Sequence, residues 1–96
     1  MANSEQASAN QPPTGGGALQ GEALEEARLL RRLQWMIGMV LSSIYQDPNL
    51  TVEKASELVA QARTTALDMF PGKELAFDLL YKPRLQRAMR DRYRLQ

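Results

Sequence analysis

The sequence predicts an all-α protein, with a small bundle of three to four helices that starts with an antiparallel helical hairpin and is preceded by a disordered N-terminal tail. Two observations support this fold class. Apolar residues recur at alternating spacings of three and four in two long segments, as they do along one side of a helix. Turn residues separate these segments, and no two segments alternate as paired strands would.

The first 21 residues are expected to form the disordered tail. Met1 to Gly21 contains Pro12-Pro13 and Gly15-Gly16-Gly17, and Leu19 is its only large aliphatic residue after Met1. Such a segment buries too little apolar surface to offset the entropy lost on ordering. Residues 22–96 are then expected to form a single helical domain.

The first predicted helix, from about Glu22 to Gln46, is apolar on two opposite faces. The stripe expected to face the core contains Leu30, Leu33, Ile37, Val40 and Ile44. At about 100° per residue, Trp35 and Met39 point to the other side, among Arg28 and Arg32. A surface helix of a small monomer normally keeps one face in water. The second apolar face therefore predicts a contact with other segments of the chain, with a second copy, or with another protein.

The second predicted helix follows a short turn at Asp47-Pro48-Asn49. Thr51 is a suitable N-cap, because its side-chain oxygen can accept a hydrogen bond from the first turn. The stripe of this helix steps by three and four through Val52, Ala55, Val59, Ala62, Ala66 and Met69. Three of the six residues are alanine, so another helix can approach closely. The short link between the two helices predicts an antiparallel hairpin.

Two shorter helices are predicted after Phe70-Pro71-Gly72. The segment Lys73 to Tyr81 suits a helix, although Leu75, Phe77, Leu79 and Tyr81 also alternate as in a strand. A lone strand would leave its backbone hydrogen bonds unsatisfied, so a short third helix is the preferred prediction. Pro83 suits the first position of a fourth helix that runs to about Tyr93.

Composition argues against an enzyme. The chain has no Cys and no His, so it lacks a thiol nucleophile, the usual general base near pH 7 and the commonest metal ligand. We predict no catalytic, cofactor-binding or metal-binding residue. The N-terminus does not resemble a signal peptide, and the longest apolar stretch is too short to span a membrane. A cytoplasmic location is the resulting expectation.

The C-terminal segment is strongly basic. From Lys82 to Gln96 it carries six basic residues against Asp91 alone. The four candidate contacts for nucleic acid or an acidic surface are Arg84, Arg87, Arg90 and Arg94. Anionic membranes are another class of ligand for such a helix. A competing interpretation docks this helix on residues 47–81, which hold six acidic and three basic residues.

Together these patterns predict a small protein–protein interaction module. It would self-associate or bind a protein partner through Trp35 and Met39, flanked by Arg28 and Arg32. The structural alternative is that the third and fourth helices fold back over Trp35, so that its side chain belongs to the core of the monomer. The alternative function is association with nucleic acid through the C-terminal arginines.

Overall fold

Four α-helices follow one another in the computed structural model, which describes residues 17–94. Their bounds are α1 (Gly17–Gln46), α2 (Val52–Met69), α3 (Glu74–Leu80) and α4 (Lys82–Tyr93). No strand occurs among these residues, and the helices pack together, so the predicted all-α class is confirmed. The segment after Lys73, whose apolar residues suited either a helix or a strand, is a helix, so the preferred prediction is confirmed.

The chain divides into two units, Met1–Leu30 and Arg31–Gln96, and α1 contributes to both. In the first unit α1 begins at Gly17, earlier than the predicted start at Glu22, because the intervening Ala, Leu and Gln are good helix formers. The rest of the predicted tail, residues 1–16, lies outside the described residues. Leu30 was expected in the core stripe, but its side chain is 41% exposed.

The core of the second unit is entirely apolar within the described residues. Its buried members are Leu33, Ile37, Val40 and Ile44 on α1, Ala55, Ala62 and Ala66 on α2, Phe77 on α3, and Leu85, Ala88 and Met89 on α4. The α1 stripe therefore starts at Leu33. The α2 stripe is confirmed, with its alanines buried and its larger members half-buried against the same cluster.

The link between α1 and α2 is held by side chain-to-backbone hydrogen bonds. The Asp47 carboxylate accepts from the Asn49 amide at 2.9 Å, a local bond typical of Asx turns. Thr51 has extended backbone angles, and its hydroxyl accepts from the Lys54 amide at 3.2 Å. The predicted N-cap of α2 is therefore confirmed.

A tight turn separates α2 from α3. The Lys73 amide donates to the Phe70 carbonyl at 3.3 Å, and Pro71 and Gly72 are the two central residues. Gly72 has a φ of 79°, a left-handed conformation that residues with a Cβ rarely adopt. Pro followed by Gly at these positions is the sequence preferred by a type II turn.

Backbone hydrogen bonding continues from α3 into α4 through Tyr81. The Tyr81 amide donates to the Phe77 carbonyl at 2.8 Å, and the Leu85 amide donates to the Tyr81 carbonyl at 3.1 Å. Pro83 has no N–H to donate, which accounts for a break in regular helix at this point. The two short helices therefore follow each other with little change of helical phase.

The last turn of α4 is fastened to the end of α1 and to the following link. The Tyr93 hydroxyl donates to the Leu50 carbonyl at 2.6 Å, and the Arg92 guanidinium donates to the Ile44 carbonyl at 3.3 Å. Ile44 lies in the last turn of α1, where carbonyls lack intrahelical partners and where α1 has no basic residue of its own. Arg92 therefore supplies a positive charge at the negative end of the α1 dipole.

A neighbouring bond on the surface joins the same two helices. The Tyr45 hydroxyl donates to the Asp91 carboxylate at 3.0 Å. This hydrogen bond raises the pKa of Tyr45 above its ordinary value of 10.0, and desolvation and the Asp91 charge act in the same direction. Ionising the phenol would remove the donor and place two negative charges side by side.

Candidate interaction surfaces

The exposed side of α1 in the second unit carries two large apolar side chains. Trp35 is 70% exposed and Met39, one turn later, is 51% exposed. The interpretation in which α3 and α4 cover Trp35 is therefore wrong for the described residues. Those helices direct Phe77, Leu85 and Met89 into the cluster that contains the opposite side of α1.

A glycine interrupts this side of α1 between the two large residues. Gly38 is exposed, and a Cβ built on it would meet nothing within 4 Å. Glycine in a helix interior costs roughly 0.5–1 kcal/mol relative to alanine. No close contact of the described residues requires it. Ser42, one turn further on, is also small and exposed.

The two predicted flanking arginines differ in their surroundings. Arg32 is exposed in the second unit, on the same side of α1 as Trp35 and Met39. Arg28 belongs to the first unit, where its guanidinium lies 3.3 Å from the Glu25 carboxylate and both side chains are mostly exposed. Such exposed pairs contribute little to stability because water and salt screen them.

The predicted C-terminal arginines are all on the surface. Arg84, Arg87, Arg90 and Arg94 are exposed, whereas the opposite side of α4 is buried. None of these four makes an ion pair within 4 Å to another residue of the described chain. The helix is therefore docked through its apolar side and through hydrogen bonds of Asp91, Arg92 and Tyr93, rather than by pairing of these arginines with the acidic middle segment.

Sequence reasoning missed a second exposed apolar cluster, on α3. Leu75, Leu79 and Leu80 are 71%, 67% and 64% exposed. Leu75 and Leu79 lie one turn apart on the side of α3 opposite the buried Phe77. Their spacing around Phe77 was the available signal, but it identifies an outward face only once the segment is known to be helical.

One acidic residue of the middle segment, Asp78, links two helices. Asp78 accepts two hydrogen bonds from the Arg63 guanidinium, at 3.0 and 3.2 Å, which join α3 to α2. These bonds lower the pKa of the Asp78 carboxyl below its ordinary value of 3.8. Within residues 17–94 no three acidic side chains gather as a metal site would require.

One shallow groove lies along the outer side of α2. It is lined by Ala60, Gln61, Thr64 and Thr65 and is open to solvent. None of the four lining side chains titrates near neutral pH, so this groove offers no group for proton transfer.

Comparisons with known proteins yield no relative. No protein-family model matches the chain, and no match is found among curated proteins or solved structures. In the described part of the chain, no helix combines the length and apolar character needed to cross a membrane. A functional proposal therefore depends on the surfaces themselves.

Proposed function

We propose that this protein is a small helical interaction module that self-associates through the α1 face, defined as Trp35, Gly38, Met39 and Ser42. The exposure of Trp35 carries the proposal. A tryptophan 70% exposed on a helix whose other side is core presents a large apolar area to water. Tryptophan is also among the residues that most often dominate binding energy at protein interfaces. The expected cytoplasmic location stays a prediction.

The shape of the α1 face favours a second copy as the occupant. Trp35 projects from the helix, and Gly38 and Ser42 leave a low area beside it. In a two-fold dimer each copy uses the same patch, so a projecting residue must meet a low area of its own surface. Antiparallel alignment of two α1 helices about residues 38–39 places each Trp35 over the other copy's Ser42.

The charges at the ends of the α1 face support the same alignment. Arg31 and Arg32 are exposed at its N-terminal end, and Asp47 is exposed just beyond its C-terminal end. Antiparallel copies bring unlike charges together at both ends of the interface, whereas parallel copies bring like charges together. Such complementarity selects orientation more than it adds affinity.

The first experiment measures mass by light scattering over a range of protein concentrations. We expect the wild-type protein to form a dimer and Trp35→Ala to be a folded monomer, because the main apolar anchor is lost. Circular dichroism checks that the variant stays helical. A wild-type protein that is monomeric at every concentration would exclude self-association and assign the α1 face to a different protein.

Gly38→Ala provides a sharper test, because it acts on folding and on association in opposite directions. Alanine should stabilise the monomeric helix by roughly 0.5–1 kcal/mol, while its methyl group should weaken the dimer by preventing close approach. Gly21→Ala is the matched control, since Gly21 is also helical with open space around its Cβ position. It should stabilise α1 without changing the dimer. Equal dimerisation of the wild type, Gly38→Ala and Gly21→Ala would contradict the proposed packing.

Nucleic-acid association through Arg84, Arg87, Arg90 and Arg94 is the second candidate. Its support is the exposure of these four side chains without ion pairs in the described chain. Binding to duplex DNA or single-stranded RNA should weaken as salt rises, because counterions are released. Failure to shift either nucleic acid in a gel at low salt would remove this candidate.

A further inference from the structure

We propose that the outer face of α3 and α4 binds an anionic membrane surface. This face contains two groups of exposed side chains. They are the leucines Leu75, Leu79 and Leu80 on α3 and the arginines Arg87 and Arg90 on α4, followed by Arg94 at the C-cap of α4. An anionic bilayer is a surface that offers an apolar layer and a negatively charged layer together.

The leucines and arginines follow each other along one side of the chain. Phe77 on α3 and Leu85 on α4 are both buried, so the opposite sides of both helices face solvent. Helical hydrogen bonds continue through Tyr81, which keeps the two helices close to one phase. Leu75 and Leu79 therefore precede Arg87 and Arg90 along a common exposed side.

The exposed leucines of α3 suggest a contact with an apolar environment. Three large apolar residues within a seven-residue helix, each more than 60% exposed, form a cluster rather than scattered surface residues. They project from the exposed, convex surface of α3. A partner helix usually lies in a groove, but a bilayer interface can surround a convex helix.

The arginines specify the charge of that surface. Their guanidinium groups make no ion pair within the described chain, so they are available to lipid headgroups. Long basic side chains extend their charged ends towards headgroups while their stems lie against apolar surface. Nucleic acid would satisfy the arginines but leave the leucines in water. The combination of both groups therefore favours lipid.

Vesicle flotation tests the proposal on the full-length protein. We expect binding to vesicles of phosphatidylcholine mixed with phosphatidylglycerol and little binding to phosphatidylcholine alone. Binding should weaken as salt screens the attraction between arginines and lipid. Equal binding to both kinds of vesicle, or none to either, would overturn the proposal.

Point variants separate the two contributions. Leu75→Ser and Leu79→Ser should each weaken vesicle binding roughly tenfold, from the lost burial of one leucine side chain. Arg87→Gln and Arg90→Gln should each weaken it roughly fivefold. All four positions are exposed, so helix content should not change. If the leucine variants bind like the wild type, the contact is electrostatic alone and the proposal is wrong.

Matched controls carry the same chemical changes elsewhere. Leu24→Ser alters an exposed leucine of the first unit, and Lys54→Gln removes an exposed base from α2. Both should bind vesicles as the wild type does. Loss of binding in either control would show that the contact extends beyond α3 and α4 and would contradict the assignment.

Binding to two other anionic ligands distinguishes a lipid surface from nucleic acid and from an acidic protein. Duplex DNA and poly-glutamate present negative charge without an apolar layer. We expect each to bind more weakly than the mixed vesicles and to be insensitive to Leu75→Ser. Tighter binding to either one would assign the arginines to nucleic acid or to an acidic protein and overturn the membrane proposal.

Discussion

Arg92 shows how strongly the role of a charged residue depends on its position. In the sequence it is one of six basic residues between Lys82 and Gln96, but in the structure its guanidinium donates to the Ile44 carbonyl. The two residues are 48 positions apart, and no local pattern relates them. By contrast, the exposure of Arg87 and Arg90 opposite the buried side of α4 follows from spacing, because it is geometry within one helix.

Removing the Tyr93 hydroxyl tests the fastening of α4 to the α1–α2 link. Its bond to the Leu50 carbonyl is partly buried and short, at 2.6 Å. We expect Tyr93→Phe to lower the free energy of unfolding by about 1 kcal/mol, measured by urea denaturation. Tyr45→Phe should cost less, because water can replace the exposed bond between Tyr45 and Asp91. Equal losses of stability in the two variants would mean that the partial burial of the Tyr93 hydrogen bond does not increase its contribution.

The pair of Arg63 and Asp78 predicts a pH dependence at the acid end. Because its hydrogen bonds lower the pKa of Asp78, the ionised carboxylate is favoured by folding. The stabilisation is present above pH 3.8, the ordinary value, and is lost as pH falls through the lower folded-state value. Asp78→Asn should therefore reduce the loss of stability on acidification, measured by denaturation at several pH values.

Asp68→Asn is the control for this measurement. Asp68 is exposed on α2 and makes no ion pair within the described chain. The same steep loss of stability in Asp78→Asn and in the wild type would show that Asp78 does not contribute to it. Both side chains of the pair are about a third or more exposed, so salt should also weaken the effect.

At the level of elements, periodicity predicted the long helices better than the short ones. Apart from the exposed Leu30, the core sides of α1 and α2 follow from spacing, because each helix is long enough for the three-four pattern to repeat. The segment of α3 is too short for helical and strand periods to be distinguished without knowing its neighbours. The exposed leucines were missed for the same reason, whereas Trp35 and Met39 were found on long α1.

Opposite substitutions on α1 test which side is core. Ile37 is buried, and Ile37→Ala should cost about 2–5 kcal/mol through lost burial and the remaining cavity. Met39→Ala removes a side chain of similar size from the exposed side. In a monomeric background, such as Trp35→Ala, it should change stability by less than about 0.5 kcal/mol. Thermal or urea unfolding compares Trp35→Ala alone with Trp35→Ala combined with either Ile37→Ala or Met39→Ala.

For the molecule as a whole, small size links folding to association. Among the described residues the buried core holds eleven side chains, and a core of this scale supplies roughly 3–5 kcal/mol of net stability. A dimer stabilises the folded state by mass action, so the thermal midpoint should rise with protein concentration. Scanning calorimetry should find this dependence in the wild type and its absence in Trp35→Ala. A constant midpoint in both would contradict dimerisation.

The buried alanines of α2 impose a limit on side-chain size that a hydrophobicity scale does not record. Ala55, Ala62 and Ala66 are almost fully enclosed, at 0%, 3% and 2% exposure. In a mutational scan of all positions, Val or Leu at these sites would keep the apolar pattern but overfill the space, at about 1–3 kcal/mol each. Against a net stability of roughly 3–5 kcal/mol, one substitution of this kind would remove a substantial part of the free energy of unfolding. Tolerance along α2 should therefore follow volume at these three sites and polarity at its half-buried positions.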